Sequence, residues 1–453
     1  MKRKFTLLTR YLAVAACVLL VAGCSCTSTK EGEGATELTS LIGDNATVAA
    51  IVSVDAIIET SGIVDGKLPA ELNDLGDDDV EEGLKQILSI EGYDRSAVLV
   101  LFYDKGDNTA LVTAVVDEDK LTSTLKGAGF EVEDGVYVKD RDDMSVVLRD
   151  NMCWIVPTDN GATETVDALV KEAENKPLAD WKKEQLQAFG DKRFYGFAEV
   201  EQKYCFFNLD FAKNAADGSA RVFNADGTPF VEVAANAGIG DLCKYVDRNA
   251  YVGVAFAGLD ALPQLAALAS VPELREYTEL TTFRVAANIN GAKDLAGLQD
   301  PGQAQMLIVL EATPGNAKAL LAKLVAQIES YGLFECTGND THRELDYFGV
   351  YKYTLDVEGD NLVVRAGNVN VQNPIVADSK QQILYLSYNL PSELLNAIFN
   401  VPMGIEFEVK VEADLLKVHV EITNTDKGFM HALVSFGKAV SESRQFSNSA
   451  FGL

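Results

Sequence analysis

The chain has 453 residues, of which 47% are apolar, and its 68 acidic residues outnumber its 39 basic residues, so the formal net charge is −29. That apolar content is enough for packed cores and excludes a disordered acidic tail. The negative charge repels phosphate backbones, so we expect no nucleic acid among the partners. Length alone predicts two to three domains.

Residues 1–23 have the order of a bacterial export signal. Basic residues precede an apolar stretch, 11–20, that is too short for a membrane-spanning helix. The next residues, Val21-Ala22-Gly23-Cys24, resemble the lipobox of bacterial lipoproteins. This resemblance implies cleavage of a signal peptide, 1–23, and lipid attachment at Cys24, through which the protein would bind a membrane. An ordinary secretory signal, or a short anchor helix with an incidental cysteine, is the alternative.

Residues 24–36 are predicted to be the lipidated cysteine and a flexible tether of small and polar residues. Ser25 follows the cysteine, so the best-known signal for retention in the inner membrane is absent. Residues 30–33 (Lys-Glu-Gly-Glu) weakly resemble the acidic tag of surface lipoproteins of the Bacteroidota. We therefore expect an outer-membrane lipoprotein, with the cell surface favoured over the periplasmic face.

Strand and helix patterns alternate along the first half of the mature chain. A β-branched run, 47–54, predicts a strand, and Asp55 is the expected N-cap of a helix that ends at Gly62. The remaining predictions, in chain order, are strands at 97–103 and 109–116, a helix at 117–130, strands separated by turns at 133–135 and 149–151, and a helix at 162–174.

The second half repeats this order of patterns. The matching pairs are 46–63 with 250–268, 110–129 with 306–332, 136–151 with 350–368, and 192–209 with 382–399. We predict an α+β fold of two tandem related units, 37–240 and 241–453, each a mostly antiparallel sheet with helices packed on one face. A coincidence of element order is the alternative to duplication.

The opening of the first unit, Asn-Ala-Thr-Val-Ala-Ala-Ile-Val-Ser-Val-Asp-Ala-Ile at 45–57, follows a lipobox and a short polar tether. Together these features resemble a family of uncharacterised envelope lipoproteins of the Bacteroidota. The resemblance implies an envelope location. It supplies no catalytic residues that can be carried over to this chain.

Sequence motifs for catalysis and metal binding are weak. His342, His419 and His431 are isolated, and His419 has the alternation of an exposed strand position. We therefore predict no catalytic residue, no cofactor site and no metal site.

Two short motifs resemble those of penicillin-binding proteins. Ser123 and Lys126 match S-x-x-K, while Ser387 and Asn389 match S-x-N. The Lys-Thr-Gly element that should follow is missing, so chance matches are the favoured interpretation.

Two acidic runs were considered as calcium sites. Asp77–Asp79 with Glu81 and Glu82 lack the spacing of a calcium loop and predict a solvated helix start. Asp140–Asp143 predict a hairpin turn by the same argument. Four widely spaced cysteines, Cys153, Cys205, Cys243 and Cys336, predict buried free thiols, with one or two disulfides as the alternative.

These observations predict a lipid-anchored envelope protein without catalytic activity that binds or scaffolds an unknown protein or ligand. One alternative is a glycan- or peptide-binding lipoprotein of a nutrient-uptake system, which an exposed aromatic cluster in a groove between the units would favour. Alternation places Trp154 in the core, whereas Trp181 is a candidate for such a platform. The second alternative is a hydrolase with a site not visible in sequence, and a cleft with two carboxylates and a His or Tyr would favour it.

Overall fold

A computed structural model describes residues 33–56, 89–103, 108–139, 144–157, 161–190, 192–212, 214–233, 237–261, 275–290, 305–367, 369–424 and 429. The fold is sheet-rich, and the strand pairings given below are all antiparallel. The coarse prediction of an α+β fold with mostly antiparallel strands is confirmed.

Contacts divide the chain into two compact units. The first contains the described residues up to Thr228 together with Phe429, and the second begins at Pro229 and ends at Thr425. These bounds differ from the predicted division after residue 240. Ile239 is fully buried in the core of the second unit, and the ring centroid of Phe429 lies 6.2 Å from that of Phe211 in the first.

The first unit is built around one antiparallel sheet. Its strands are β1 (Val48–Val52), β2 (Tyr93–Tyr103), β3 (Asn108–Val115), β4 (Glu131–Glu133), β5 (Val136–Val138), β6 (Met144–Arg149), β7 (Met152–Pro157), β8 (Phe194–Val200), β9 (Lys203–Phe211) and β10 (Ala215–Asn224). Its helices are α1 (Glu33–Ser40), α2 (Glu118–Gly127), α3 (Ala162–Asn175) and α4 (Asp180–Phe189). The strand order is β4-β5-β6-β7-β3-β2-β1-β8-β9-β10.

Helices cover both faces of this sheet, so the prediction of helices on one face is wrong for the first unit. Leu121 and Leu125 of α2 pack with Cys153 of β7. Trp154 lies on the opposite face, and the strand register places Asn208 on that same face. Helix α4 covers it, because Asn208 Nδ2 donates to the Phe189 carbonyl over 3.3 Å. A broad central sheet with two apolar faces needs cover on each.

Helix α4 carries an aromatic cluster rather than an exposed platform. Trp181 is half-buried, with ring centroids 5.6 Å from Tyr204, 5.8 Å from Phe206 and 5.9 Å from Phe223. The neighbouring Lys182 is 3% exposed; its Nζ donates to the Asp44 carbonyl over 2.9 Å and lies 4.0 Å from the Tyr204 ring centroid. Trp154 is 2% exposed, as its alternation predicted.

The second unit also contains one antiparallel sheet. Its strands are β11 (Val252–Ala257), β12 (Thr281–Asn290), β13 (Gln305–Ala312), β14 (Glu335–Gly338), β15 (His342–Tyr347), β16 (Tyr351–Glu358), β17 (Asn361–Ala366), β18 (Gln382–Leu390), β19 (Gly404–Glu412) and β20 (Leu415–Thr423). Its helices are α5 (Ala317–Ser330) and α6 (Ser392–Phe399), with short 3-10 turns at Cys243–Tyr245 and Leu259–Ala261. The strand order is β14-β15-β16-β17-β13-β12-β11-β18-β19-β20.

Residues 237–246 and 369–377 cover one face of this second sheet. On that face Ala255, Ala286 and Tyr385 belong to a single buried cluster with the covering residues. Helix α5 packs on the opposite face, against Leu355 and Leu362. Irregular chain therefore shields this face. Its backbone N–H and C=O groups need hydrogen-bond partners other than those that a helix would supply.

Strand by strand, the two sheets have the same order, β1 corresponding to β11 and β10 to β20. A helix follows the third strand in each unit. Helices α3 and α4 lie between β7 and β8, whereas helix α6 lies between β18 and β19. The predicted match of 136–151 with 350–368 is one strand out of step, because these ranges are β5–β6 and β16–β17, whereas β5–β6 corresponds to β15–β16.

Two local predictions are corrected at helix starts. Ser53, not Asp55, caps the helix that starts at Val54, since the Ala56 amide donates to Ser53 Oγ over 3.2 Å. Helix α1 begins at Glu33, inside the segment predicted as a tether, and the fully buried Leu38 anchors it. By contrast, Asp117 caps α2 as the pattern predicted, accepting from the Lys120 amide.

Candidate functional site

The candidate site is built around residues 247–250, called the shared segment below, which precede β11. The chain here pairs with 373–375: the Arg248 amide donates to the Asn373 carbonyl over 2.9 Å, and the Ile375 amide donates to the Val246 carbonyl over 3.0 Å. Asp247 is 6% exposed, and both carboxylate oxygens accept backbone amides, from Asn249 at 2.9 Å and from Gln372 at 2.6 Å. The buried carboxylate therefore holds two loops together.

Two asparagines from the sheet fix the shared segment further. Asn389 Nδ2 donates to the carbonyls of Arg248 at 2.8 Å and Ala250 at 2.7 Å. Asn288, which is fully buried, accepts the Asp247 amide over 3.2 Å. With these backbone groups satisfied, the segment forms a rigid boundary between two clefts.

The first cleft, called the amide cleft below, has a volume of about 410 Å³. It is lined by Asp247, Asn249, Asn290, Gln305, Asn370, Gln372 and Asn373. No side-chain hydrogen bond joins any of the six carboxamides to another described residue. Both oxygens of Asp247 are occupied by backbone amides, so the rest of the lining offers neutral donors and acceptors beside one buried carboxylate.

Strand ends and a period-two pattern bring these amides together. Asn290 and Gln305 are directly opposed at the ends of β12 and β13. In the covering segment, Val369 and Val371 pack on the core, while Asn370 and Gln372 line the cleft. This alternation of valine with amide residues is the one signal in the sequence from which part of the site could have been found.

The second cleft, called the charged cleft below, has a volume of about 230 Å³. It is lined by Arg248, Tyr385, Ser387, Asn389, Glu406, Phe407, Glu408, Lys410 and His419. The register explains part of this grouping, because Ser387 opposes Glu408 and Glu408 opposes His419. Directly opposed residues of neighbouring strands share a face.

Ser387 forms the buried end of the charged cleft. The side chain is 3% exposed, and within the described ranges its hydroxyl has no hydrogen-bond partner of ordinary geometry. A Cβ atom at Gly253 would lie 2.6 Å from Ser387 Oγ, so only glycine leaves room for this hydroxyl. A buried hydroxyl without a partner is costly, and a ligand could satisfy it.

The charges of this cleft are unevenly paired. Lys410 Nζ lies 2.9 Å from Glu408 Oε1 and 3.3 Å from Asp378 Oδ2. Arg248 and Glu406 have no ion-pair partner in the part of the chain that the structure describes. Burial raises the pKa of the Tyr385 hydroxyl, which therefore stays protonated at neutral pH. The cleft thus presents one free cation and one free anion.

The charged cleft contains two carboxylates with a His and a Tyr, the sign expected for the hydrolase alternative. However, among the described residues no base accepts a hydrogen bond from Ser387 Oγ. Without such a base the hydroxyl is not activated as a nucleophile.

An exposed aromatic cluster lies at the β15–β16 hairpin of the second unit. Phe348, at the turn, is 71% exposed and has a positive φ of 51°, which is unfavourable for an aromatic residue. Its ring centroid lies 4.8 Å from that of Tyr347, which in turn lies 5.8 Å from that of Tyr351. Sequence reasoning named Trp181 for this role and missed the hairpin.

The remaining predicted residues are dispersed. Ser123 and Lys126 lie on α2 in the first unit, while Ser387 and Asn389 lie in the second. His342 binds Asp356, with 2.6 Å between Nδ1 and Oδ1, and that hydrogen bond raises the pKa of the imidazole. His419 lies on β20, partly exposed, as predicted.

Several predictions fall outside the described residues. These are Cys24 with the signal peptide and most of the tether, the acidic runs 77–82 and 140–143, and His431. The four cysteines that are described, Cys153, Cys205, Cys243 and Cys336, are free thiols. Burial raises the pKa of Cys153 to about 12.

No protein-family model, curated protein or solved structure matches this chain. Within the described ranges, no helix is both long and apolar enough to cross a lipid bilayer. In those same ranges, no three His, Cys, Asp or Glu side chains are grouped so as to hold a metal ion.

Proposed function

We propose that this protein is a lipid-anchored envelope protein that binds a glycan in the amide cleft of its second unit. One observation carries this proposal. Six carboxamides converge on one cleft, and no other described side chain or backbone group occupies them.

The chemistry of the carboxamide favours a sugar over other ligand classes. Each Asn or Gln side chain offers two donors and an acceptor, which matches the paired donor and acceptor character of sugar hydroxyls. An anionic ligand would need a cationic side chain, and none lines the cleft. A cationic ligand would find both oxygens of the Asp247 carboxylate already occupied by backbone amides. A volume of about 410 Å³ is within the range of small-molecule sites.

The exposed aromatic residues of the β15–β16 hairpin also support a ligand-binding role. Tyr347, Phe348 and Tyr351 form a contiguous group of rings at the surface of the same unit. Aromatic faces contribute binding energy through stacking and apolar contact. A glycan- or peptide-binding lipoprotein, the first alternative from the sequence, is therefore the hypothesis that we prefer to a scaffold without a ligand.

The binding proposal is tested by calorimetry with neutral oligosaccharides. We expect Asn290→Ala with Gln305→Ala to weaken binding about tenfold or more, because each hydrogen bond contributes about 1 kcal/mol. The matched control is Asn175→Ala with Gln187→Ala, two exposed amides on α3 and α4. Unchanged affinity in the cleft variant, or no binding of any neutral glycan, would overturn the proposal.

Membrane attachment through Cys24 remains part of the proposal. It is supported by the lipobox-like sequence and by the resemblance to envelope lipoproteins of the Bacteroidota. We expect Cys24→Ala to release the protein from the membrane fraction, and protease treatment of intact cells to remove a surface-exposed protein. A fully membrane-bound Cys24→Ala variant would contradict the lipid anchor, and protection in intact cells would favour the periplasmic face.

We also infer that the two units arose by duplication of one ten-stranded unit. The shared strand order and the helix after the third strand of each unit support this inference. Element order alone could recur by coincidence. A superposition of an experimental structure of each unit, with corresponding strands failing to overlie, would contradict the duplication.

A further inference from the structure

We propose that the amide cleft and the charged cleft bind one ligand, in which a sugar is joined to a short peptide that ends in a free α-amino acid group. The sugar half of this proposal rests on the proposed function, while the amino acid half rests on separate residues. The ligand class is therefore a glycopeptide with a zwitterionic end.

The free charges of the second cleft are matched by an amino acid group. Arg248 offers a guanidinium that can hold a carboxylate, and Glu406 offers a carboxylate that can hold an ammonium group. Lys410 is already paired with Glu408 and Asp378, so it offers no free cation, and the three groups together carry one negative charge. A purely anionic or purely cationic ligand would leave one of the two free groups opposed by a like charge.

Besides the free charges of Arg248 and Glu406, Ser387 is a second, independent feature that points to a ligand in the charged cleft. Its hydroxyl is buried and unpartnered at the end of the cleft, where Gly253 leaves it room. A carboxylate oxygen held by Arg248 would give that hydroxyl an acceptor. Desolvated hydrogen bonds of this kind to a charged group are about twice as strong as neutral ones.

The shared segment explains why one ligand can reach both clefts. Asp247 and Asn249 line the amide cleft, whereas the intervening Arg248 lines the charged cleft. The segment is a tight turn, in which the Ala250 amide donates to the Asp247 carbonyl over 3.1 Å, so the two clefts meet at one turn of the backbone. The Arg248 amide also bonds the Asn373 carbonyl, and Asn373 itself lines the amide cleft. A sugar on one side and an amino acid group on the other are therefore within the reach of a short linker.

The proposal is tested by calorimetry with three probes and the full mature chain. The probes are a neutral amidated disaccharide of N-acetylglucosamine and N-acetylmuramic acid, the peptide L-Ala-D-Glu-meso-diaminopimelate, and the two joined as one glycopeptide. Linkage turns the second binding event into an intramolecular one, so we expect the glycopeptide to bind at least a hundredfold more tightly than either half.

Variants assign each half of the ligand to its cleft. We expect Arg248→Ala and Glu406→Gln each to weaken the peptide and the glycopeptide about tenfold while leaving the disaccharide unchanged. Asn290→Ala with Gln305→Ala should weaken the disaccharide and the glycopeptide but not the peptide. Arg275→Ala, at an exposed arginine of the same unit, is the matched control. Circular dichroism checks that each variant folds. If either Arg248→Ala or Glu406→Gln fails to fold, the other charge variant still tests the charged cleft.

The outcomes separate this proposal from the proposed function. If the disaccharide binds and the glycopeptide binds no more tightly, the shared-ligand proposal is wrong and the glycan site stands. If the peptide binds and the disaccharide does not, the glycan site and the shared ligand both fail. If acetylating the diaminopimelate amine, or amidating the carboxyl on the same carbon, leaves peptide affinity unchanged, the zwitterionic assignment is wrong.

Discussion

Lys182 tests how a nearly buried cation stabilises the first unit. Its side chain is 3% exposed, while its partner Asp44 is 41% exposed, with 3.0 Å between Nζ and Oδ1. The ammonium also donates to the Asp44 carbonyl and lies over the Tyr204 ring. Replacing Lys182 with methionine keeps most of the length and removes the charge. Replacing it with alanine removes the stem as well.

The two replacements should differ in a defined way. The charged hydrogen bond contributes about 1.5–3 kcal/mol and the desolvated cation–π contact about 2 kcal/mol. Recovered desolvation of the ammonium offsets several kcal/mol of this sum. Asp44 stays half-exposed and can be solvated once alone. We therefore expect a loss of about 1–2 kcal/mol for Lys182→Met. Lys182→Ala should cost about 2 kcal/mol more, since each buried methylene contributes about 0.8 kcal/mol.

Urea unfolding followed by tryptophan fluorescence measures this loss. The chain has two tryptophans, Trp154 and Trp181, and both lie in the first unit, so the signal reports on that unit. Asp44→Asn and the double variant with Lys182→Met complete a cycle in which we expect a coupling of about 1 kcal/mol. A Lys182→Met protein as stable as the parent would refute the stabilising charge. Equal losses for methionine and alanine would refute the packing of the stem.

Three further predictions concern single side chains. Phe348→Asn should raise the free energy of unfolding of the second unit by about 1 kcal/mol, since asparagine tolerates positive φ. Urea unfolding followed by far-UV circular dichroism, which reports on both units, should show this gain, and its absence would contradict the strained turn. An NMR titration should place the pKa of His342 above about 6.5, and Asp356→Asn should lower it. Because the folded pKa is raised, the stabilisation is fully present below about pH 6.5 and is lost as pH rises through the folded pKa. Native protein at pH 8 should leave Cys153 unalkylated by iodoacetamide in mass spectrometry, because its pKa is about 12.

Local structure followed from local sequence. Polar turn residues such as Asp150 and Asn151 take positive φ between β6 and β7, where the turn was predicted. Asp117 caps α2 for the same reason, because a short side-chain oxygen can reach a free helix amide. The prediction at Asp55 was wrong because Ser53, two residues earlier, has the capping geometry.

The candidate site could be predicted in one part only. The alternation of Val369 and Val371 with amides was visible, but its partner Asp247 lies about 125 residues earlier in the chain. Ser387 was noted as part of a catalytic motif, whereas its environment depends on Gly253 from another strand. Pairings of this kind are set by the whole sheet and leave no signature within a short window of sequence.

The position of the first strand in each sheet bears on how the chain folds. β1 pairs with β8, about 150 residues later, and β11 pairs with β18, about 136 residues later. Closing a loop of this length costs conformational entropy before the strand pairing contributes any stability. The high contact order therefore predicts slow folding, on the order of milliseconds to seconds. During synthesis from the N-terminus, one edge of β1 stays unpaired until β8 has been made, and one edge of β11 stays unpaired until β18 has been made. A holding chaperone that shields that edge would therefore limit aggregation of the nascent chain.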